Sequence, residues 1–467
     1  MISIGISAMF SNCESLVELN LENFDTSRVT TMGNLFYGCK SLKTLKIPKF
    51  TTKENLDFSY MFSGCESLET LDLSKFDGTN CNYMYNMFEN AKSLTTLKFV
   101  NFKAKSATSM ISMFEGMTNL KTLDITGLDT SSVENFDSAF QDCTNLVEIK
   151  GFKDIKTNNA ISTRNMFSGC TKLNSIDLSN FHTGTIKYFE NMFDGCESLT
   201  NIDVTKFEGN EAVEMSYMFH NCKKLTSIDF ANLATPNLLT FSNVFENCEN
   251  LETVKLPLLN IIMVNNFGGL FANCRKLTNL EFAPQSEATI PSILTNMFLN
   301  CESLEIIDLT HFRMDVLYSL ESAFEGCTNL KEIKFEDFMN SEFLIDMSRT
   351  FKDCKKLTYI NLTALHTNTI INMTEAFSGC ESLEALDMPN VNTMILNEVS
   401  GLFKNNKKIV HLELNLFNTL NVKEPEKRSG MFENFNKAEN ITMIVEPNNI
   451  ENIREQIPDN VLIVRPE

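Results

Sequence analysis

A phenylalanine recurs about every 26 residues along nearly the whole chain of 467 residues. The series is Phe10, Phe36, Phe62, Phe88, Phe114, Phe140, Phe167, Phe193, Phe219, Phe245, Phe271, Phe298, Phe324, Phe351, Phe377, Phe403 and Phe432. A fixed period of this length is typical of a solenoid, in which each repeat buries its apolar face against its neighbours. The sequence therefore specifies a repetitive scaffold far more strongly than any chemistry.

Each of these anchor phenylalanines is followed by apolar residues at fixed distances. After Phe62 the chain carries Leu68, Leu71 and Leu73, which is the L-x-x-L-x-L pattern of a leucine-rich repeat. The alternation around Asp72 indicates a short strand with one buried face. Gly151 stands where a strand leucine belongs, so we expect a local irregularity around residues 149–160.

The apolar period changes before each anchor phenylalanine. One set of residues at i, i+3, i+4 and i+7 is Met32, Leu35, Phe36 and Cys39. This spacing is typical of one face of a short helix or 3₁₀ segment. We therefore predict an α/β repeat solenoid of about 17 modules, of the leucine-rich-repeat type. Its parallel sheet lies on the concave side and its short helical or 3₁₀ segments on the convex side.

Thirteen of the fourteen cysteines lie three residues after an anchor phenylalanine. Ala91 and Met117 occupy the same column, which indicates a small or apolar buried position. A disulfide ladder or a row of metal sites is the alternative. Equivalent side chains on stacked repeats point the same way, which disulfide geometry disfavours, and no C-x-x-C pair occurs. We therefore expect buried free thiols, no metal and no cofactor.

The repeat resembles a known family. Residues 61–77 read MFSGCESLETLDLSKFD, which is similar to the BspA-type leucine-rich repeat in its 26-residue form. The resemblance covers roughly residues 1–438 and implies a leucine-rich-repeat solenoid. In many members of this family it also implies protein binding or adhesion at a bacterial cell surface, with no catalytic residues.

The pattern of the chain predicts two parts. Residues 1–438 are expected to form the BspA-type solenoid. Residues 439–467 contain two short apolar runs around a helical segment, and they are expected to form a C-terminal strand–helix–strand cap.

Charge and motifs exclude several classes of function. The net charge of −20 argues against binding to nucleic acid or to anionic membranes. Neither G-x-S-x-G nor H-E-x-x-H is found, so no enzyme is predicted. The expected partner is a protein or another macromolecule.

The N-terminal residues carry no basic region followed by a long apolar core, and no apolar run approaches the ~18 residues that a membrane span requires. The resemblance implies a cell-surface or secreted protein whose leader is absent from this chain. The alternative is a cytoplasmic location.

The first candidate binding surface lies on the predicted concave strands. Asp177, Asp203 and Asp229 occupy the same position in three successive repeats. Such a row attracts a basic patch on a partner, or Ca²⁺; Ca²⁺ is the weaker alternative, because flat strands rarely supply the 6–8 oxygens that it prefers. The remaining alternative is an exposed acidic stripe without function.

The second candidate surface lies on neighbouring strand positions towards the C-terminus. The small hydroxyl residues found earlier in this column give way to Ile306, Tyr359 and His411. Apolar and aromatic groups of this kind favour an adhesive surface. We therefore predict a non-enzymatic recognition or adhesion protein; the alternative is an intracellular leucine-rich-repeat scaffold for protein–protein interaction.

Overall fold

The structure is a computed structural model that consists of two compact units, Met1–Leu238 and Leu239–Glu467. It describes residues 4–48, 56–74, 76, 78–98, 102–259, 264–282, 291–310, 312–314, 316–335, 342–438 and 440–466. The fold is a parallel-strand β-solenoid of the leucine-rich-repeat type with about 14 turns and few helices. The number of about 17 modules is not confirmed.

Two kinds of short parallel strands recur in Met1–Leu238. The leucine strands, which carry the L-x-x-L-x-L motif, are Glu18–Asn20, Thr44–Lys46, Thr70–Asp72, Thr96–Lys98, Thr122–Asp124, Glu148–Lys150 and Ser227–Asp229. The strands of a second ladder, which precede each anchor phenylalanine, are Ile4–Gly5, Val29–Thr31, Leu56–Asp57 and Cys81–Tyr83. A further short strand is Ala234–Thr235. The second ladder continues through single parallel bridges from Ser109 to Glu214.

The same two ladders recur in Leu239–Glu467. Its leucine strands are Thr253–Leu256, Asn279–Phe282, Ile306–Leu309, Glu332–Phe335, Tyr359–Asn361, Ala385–Asp387 and His411–Glu413, and its remaining strands are Leu258–Leu259, Ile441–Ile444 and Val461–Val464. The second ladder consists of single parallel bridges from Thr240 to Glu398. Neighbouring leucine strands pair in register, as in Leu386↔Leu412, so equivalent side chains of successive turns stack on one another.

The anchor phenylalanines form the centre of the core. All of them from Phe36 to Phe403 are buried. Adjacent rings stack nearly parallel, with centroids 5.2 Å apart for Phe140 and Phe167 and 5.9 Å apart for Phe298 and Phe324. Such stacks add to the free energy gained from burying each ring. The 26-residue period of the sequence is therefore the period of this aromatic stack.

The predicted helical segments are not confirmed, because the described residues around each anchor phenylalanine form consecutive turns. The residues two positions before and after Phe36 have positive φ angles, 59° for Asn34 and 68° for Gly38. An α-helix requires φ near −63° throughout, so two left-handed residues in seven interrupt it. Positive φ is typical of the third residue of a type II turn, where asparagine and glycine are favoured.

Hydrogen bonds in these turns alternate between two directions. The Leu35 N–H donates to the Met32 carbonyl at 3.1 Å within its own turn of the solenoid. The Phe36 N–H donates instead to the Met61 carbonyl at 3.0 Å, one turn further along the chain. Alternate amides thus join neighbouring turns, which satisfies the buried backbone without a helix.

Helical structure in the described residues is limited to the 3₁₀ segments Phe152–Asp154, Pro425–Arg428 and Pro447–Gln456. The first begins after Gly151, whose φ is 81°. A Cβ on Gly151 would approach the Thr126 backbone nitrogen to 2.8 Å, so only glycine fits there. This is the irregularity that the sequence predicts around residues 149–160.

The cysteines are free, and all except Cys13 are buried. The prediction that the thiols are buried is therefore confirmed for all of them except Cys13. The column also carries a hydrogen bond that the sequence did not predict: the Cys196 thiol donates to the Phe167 carbonyl of the preceding turn at 3.2 Å. Asn406 replaces cysteine in the same column and donates its amide to the Phe377 carbonyl at 2.9 Å. Buried donors in this column therefore bond to the preceding turn, although Ala91 and Met117 show that the column also accepts residues without a donor.

Candidate functional site

The three predicted aspartates in Met1–Leu238 share one local geometry. Asp177, Asp203 and Asp229 each accept the backbone N–H two residues later, at 3.0 Å in all three cases. This is an Asx turn, which fixes the backbone direction directly after the L-x-x-L-x-L motif. Asp229 ends the strand Ser227–Asp229, whereas Asp177 and Asp203 lie outside the strands of the described residues, so their predicted strand position is not confirmed.

The charge of these aspartates is not required for the turn. Asn20 and Asn361 accept the equivalent N–H with their amide oxygens, both at 3.0 Å. Hydrogen bonds from Ser179 lower the pKa of Asp177, and those from Thr205 lower the pKa of Asp203. Both carboxylates are consequently ionised at neutral pH, on an exposed surface.

Asp177 also borders a cleft next to the irregular repeat. The cleft has a volume of 240 Å³ and is lined by Glu148, Phe152, Lys153 and Ser175 among others. It lies where the chain after Gly151 leaves the regular strand path.

In Leu239–Glu467, two of the predicted residues converge on one carboxylate. The Tyr359 hydroxyl donates to Asp387 Oδ2 at 2.6 Å, and His411 Nε2 lies 3.5 Å from Asp387 Oδ1. Tyr359, Ala385 and His411 are paired in register on three neighbouring strands. Tyrosine and histidine therefore approach Asp387 from opposite sides.

Glu413 completes this group. It is the register partner of Asp387, and one ligand atom each of Asp387, His411 and Glu413 lies within 4.8 Å of the others. The hydrogen bond to Asp387 is the main cause that raises the pKa of Tyr359 to about 12. We call Tyr359, Asp387, His411 and Glu413 the acid–histidine cluster.

Sequence reasoning selected Tyr359 and His411 but did not connect them with Asp387 or Glu413. The signal was available, because in-register strands bring a residue close to the position two further along the neighbouring strand. Ile306 does not belong to this cluster. It lies on the strand Ile306–Leu309, opposite Glu332, and half of its surface is exposed.

A row of exposed apolar side chains on the second ladder was missed entirely. Tyr318, Ile345 and Ile371 occupy equivalent positions in three successive turns and are 47%, 43% and 41% exposed. The Ile345 N–H donates to the Tyr318 carbonyl at 3.0 Å, and the Ile371 N–H donates to the Ile345 carbonyl at 2.8 Å, so the three are immediate neighbours. Phe343 extends the row, with its ring centroid 5.5 Å from that of Tyr318. We call these four residues the apolar row.

Two family profiles match the chain. The family described as "Mycoplasma protein of unknown function, DUF285" matches residues 4–123, 108–229 and 345–456, which is more than half of the chain. The chain belongs to this family. The BspA type leucine rich repeat region, in six copies, matches residues 241–363, so the resemblance seen in the sequence is confirmed. Repeats of this kind are scaffolds typical of protein-interaction proteins, and no catalytic family is indicated.

Solved structures that resemble this member of the family include other leucine-rich-repeat proteins. One from Bacteroides ovatus is 19% identical with a TM-score of 0.43, over 100% of this chain and 88% of its own. A leucine rich cell surface protein from Faecalibacterium prausnitzii is 17% identical with a TM-score of 0.34, over 79% of this chain and 82% of its own.

A comparison with curated proteins gives no match. Within the described residues, none of the helices has the length and apolar character that crossing a bilayer requires.

Proposed function

We propose that this chain is a non-enzymatic recognition or adhesion scaffold, secreted or displayed at the cell surface, that binds a protein through exposed strand positions of Leu239–Glu467. The observation that carries the proposal is the apolar row. Four large apolar side chains side by side, each about two-fifths exposed or more, are unusual on a surface that binds nothing.

The row has the composition that protein interfaces favour. Tyr318 and Phe343 supply rigid aromatic area, and Ile345 and Ile371 supply branched aliphatic area. All four are carried by turns whose anchor phenylalanines are buried, so their positions are held by the core. A partner with an apolar centre fits this surface without ordering a loop first.

The net charge of the chain indicates the charge of the partner around its apolar centre. With a net charge of −20, the scaffold attracts a partner that is basic around its apolar centre. The ionised Asp177 and Asp203 belong to this field, together with Asp229. We assign them a role in long-range attraction, and we assign affinity to the apolar row.

The experiment is a capture of partners from cell-surface extract and from cytosol of the source organism, with three forms of the chain. The first is wild type, and the second carries Tyr318→Ser, Ile345→Ser and Ile371→Ser. The third is a matched control with Val17→Ser, Val147→Ser and Ile161→Ser, which removes exposed apolar groups from Met1–Leu238.

A partner retained by wild type and by the control, but lost by the second form, supports the proposal. Equal retention by all three forms contradicts it. The extract that supplies the partner separates the surface location from the intracellular alternative. A further variant with Asp177→Asn, Asp203→Asn and Asp229→Asn keeps the Asx turns, so any loss of association rate with it reports charge alone.

We further propose that residues 439–467 are the cap of the solenoid at residues 1–438. Ile441–Ile444 pairs with His411–Glu413, and Val461–Val464 pairs with Ile441–Ile444. The 3₁₀ segment Pro447–Gln456 joins these two strands and buries Ile450 and Ile453. Deleting residues 439–467 should therefore expose the strand edge of His411–Glu413 and promote association, measurable by light scattering. A deletion variant that stays monomeric and equally stable would contradict the role of a cap.

A further inference from the structure

We propose that the acid–histidine cluster is a binding site for a divalent transition metal ion of the Zn²⁺ type, with Asp387, His411 and Glu413 as ligands and Tyr359 as the residue that orients Asp387. This site is independent of the apolar row. It rests on the arrangement of three ligands, on unmatched charge and on buried oxygens without donors.

The ligand set is the first argument. Two carboxylates and one imidazole project from adjacent in-register strands, with one ligand atom of each within 4.8 Å of the others. Ligand atoms of a tetrahedral zinc site lie about 2.0–2.2 Å from the metal and therefore about 3.3 Å from one another. Small side-chain rotations close this difference. The imidazole favours Zn²⁺ over Ca²⁺, which prefers a shell of oxygens.

Charge is the second argument. Asp387 and Glu413 are register partners, and like charges directly opposite each other destabilise a sheet. Within the described chain, no lysine or arginine forms an ion pair with either carboxylate; His411 is the partner of Asp387. A divalent cation neutralises both carboxylates and accepts a lone pair of the His411 imidazole.

Buried oxygens are the third argument. Asp387 Oδ1 is inaccessible to solvent and has no hydrogen-bond donor among the described residues. Asn415 Oδ1 is also buried and has no hydrogen-bond donor among the described residues. The Asn415 amide nitrogen lies 3.5 Å from Glu413 Oε1. A buried carboxylate oxygen without a donor is costly, and a cation bound at Asp387 Oδ1 removes this cost.

Tyr359 supplies the hydrogen bond by which a neighbouring residue commonly orients a metal ligand, here Asp387. Its hydroxyl donates to Asp387 Oδ2 at 2.6 Å, which leaves Oδ1 turned towards His411. Such partners hold a carboxylate in its ligating orientation, and their loss typically weakens metal affinity about 10–100-fold. The cluster lies on a partly exposed strand face, so water or a partner's side chain takes the fourth position.

The test is a titration of the full, untagged chain with Zn²⁺ by calorimetry, and with Co²⁺ by visible absorption, after treatment with a chelator. All forms carry Cys13→Ser, because Cys13 is the one exposed thiol. The variants are Asp387→Asn, His411→Ala and Tyr359→Phe. The matched control is His220→Ala, since His220 Nδ1 lies 2.8 Å from Asp194 Oδ1 but this pair belongs to no three-ligand group in the described chain.

The expected result is one equivalent of Zn²⁺ per chain, with affinity reduced at least 100-fold by His411→Ala or Asp387→Asn and about 10-fold by Tyr359→Phe. His220→Ala should bind as wild type does, and circular dichroism should confirm that each variant is folded. Absence of stoichiometric Zn²⁺ binding to wild type would overturn the proposal. So would affinity that His411→Ala leaves unchanged, or that His220→Ala reduces equally.

Discussion

The leucine strands of Met1–Leu238 and of Leu239–Glu467 bury the same kinds of residue and differ at their exposed positions. In the first unit the residue before the central strand leucine is threonine at Thr70, Thr96 and Thr122. In the second unit the same position holds Thr253 at the first strand, but Ile306, Tyr359 and His411 at later ones. The same repeat fold therefore presents two kinds of exposed surface, and the buried residues do not reveal which kind a repeat carries.

The first test of the shared core concerns pH. Burial raises the pKa of Cys143 in one unit and of Cys327 in the other to about 12, from an ordinary value of 9.0. The native state keeps these protons between pH 9 and 12 while the unfolded chain loses them. The free energy of unfolding should therefore fall as pH rises above 9, by up to about 1.4 kcal/mol per pH unit for each such thiol.

Urea denaturation followed by circular dichroism from pH 8 to pH 11 measures this decline. The double variant Cys143→Ala and Cys327→Ala should show a shallower decline than wild type. A thiol reagent at pH 8 should label Cys13 alone before unfolding. Rapid labelling of several thiols in the native protein would contradict this account of both cores.

The second test removes one anchor ring from each unit. Phe193→Ala and Phe351→Ala should each lower the free energy of unfolding by about 3–5 kcal/mol, because each ring is fully buried between two others. Urea denaturation of the two variants gives the comparison. Costs that differ several-fold between the variants would show that the two cores are not equivalent.

A third test concerns the left-handed residues after the anchor phenylalanines. Gly169 and Gly326 have φ angles of 73° and 74°, so replacement by alanine in either unit should cost about 1–2 kcal/mol or more. The controls are Asn165→Gly, in the same turn as Gly169, and Asn296→Gly, in the turn one repeat before that of Gly326; both residues are left-handed. Because glycine tolerates positive φ, each control should change the free energy of unfolding by much less than the alanine variants do. Thermal melts distinguish these outcomes; harmless alanines would mean that the turns are not of the type described.

The smallest effect concerns the Asx turns. Asp203→Ala and Asn361→Ala should each cost about 0.5–1.5 kcal/mol, because both remove a hydrogen bond to the backbone two residues later. Asp203→Asn should leave stability unchanged within error, because Asn361 makes the same turn with an amide. If Asp203→Asn destabilises as much as Asp203→Ala, the charge itself holds the turn.

The repeat pattern predicted the solenoid, most of the leucine strands and the buried thiols because burial imposes a strict period on phenylalanine, leucine and cysteine. The strands predicted around Ile176 and Ile202, two of the described residues, are not formed. The same pattern gave a wrong prediction around Phe36, where apolar spacing at i, i+3 and i+4 indicated a short helix or 3₁₀ segment. The decisive residues there were Asn34 and Gly38, which favour positive φ. Apolar spacing alone did not predict turns in place of the helix.

The candidate sites were harder to predict because they depend on neighbours about 26 residues apart. Tyr359 and His411 were selected for their chemistry, but their meeting at Asp387 depends on strand register. The apolar row was missed because Tyr318 and Ile345 fall outside the leucine strands, on a ladder that the sequence analysis did not predict.

The central claim is that the affinity for the partner resides in the apolar row of Leu239–Glu467, while Met1–Leu238 contributes only long-range attraction. Hydrogen–deuterium exchange of the chain with its captured partner tests this most directly. We predict added protection in peptides that cover residues 316–319, 342–346 and 369–373, and its absence in the Tyr318→Ser, Ile345→Ser, Ile371→Ser variant. Protection confined to Met1–Leu238 would contradict the claim.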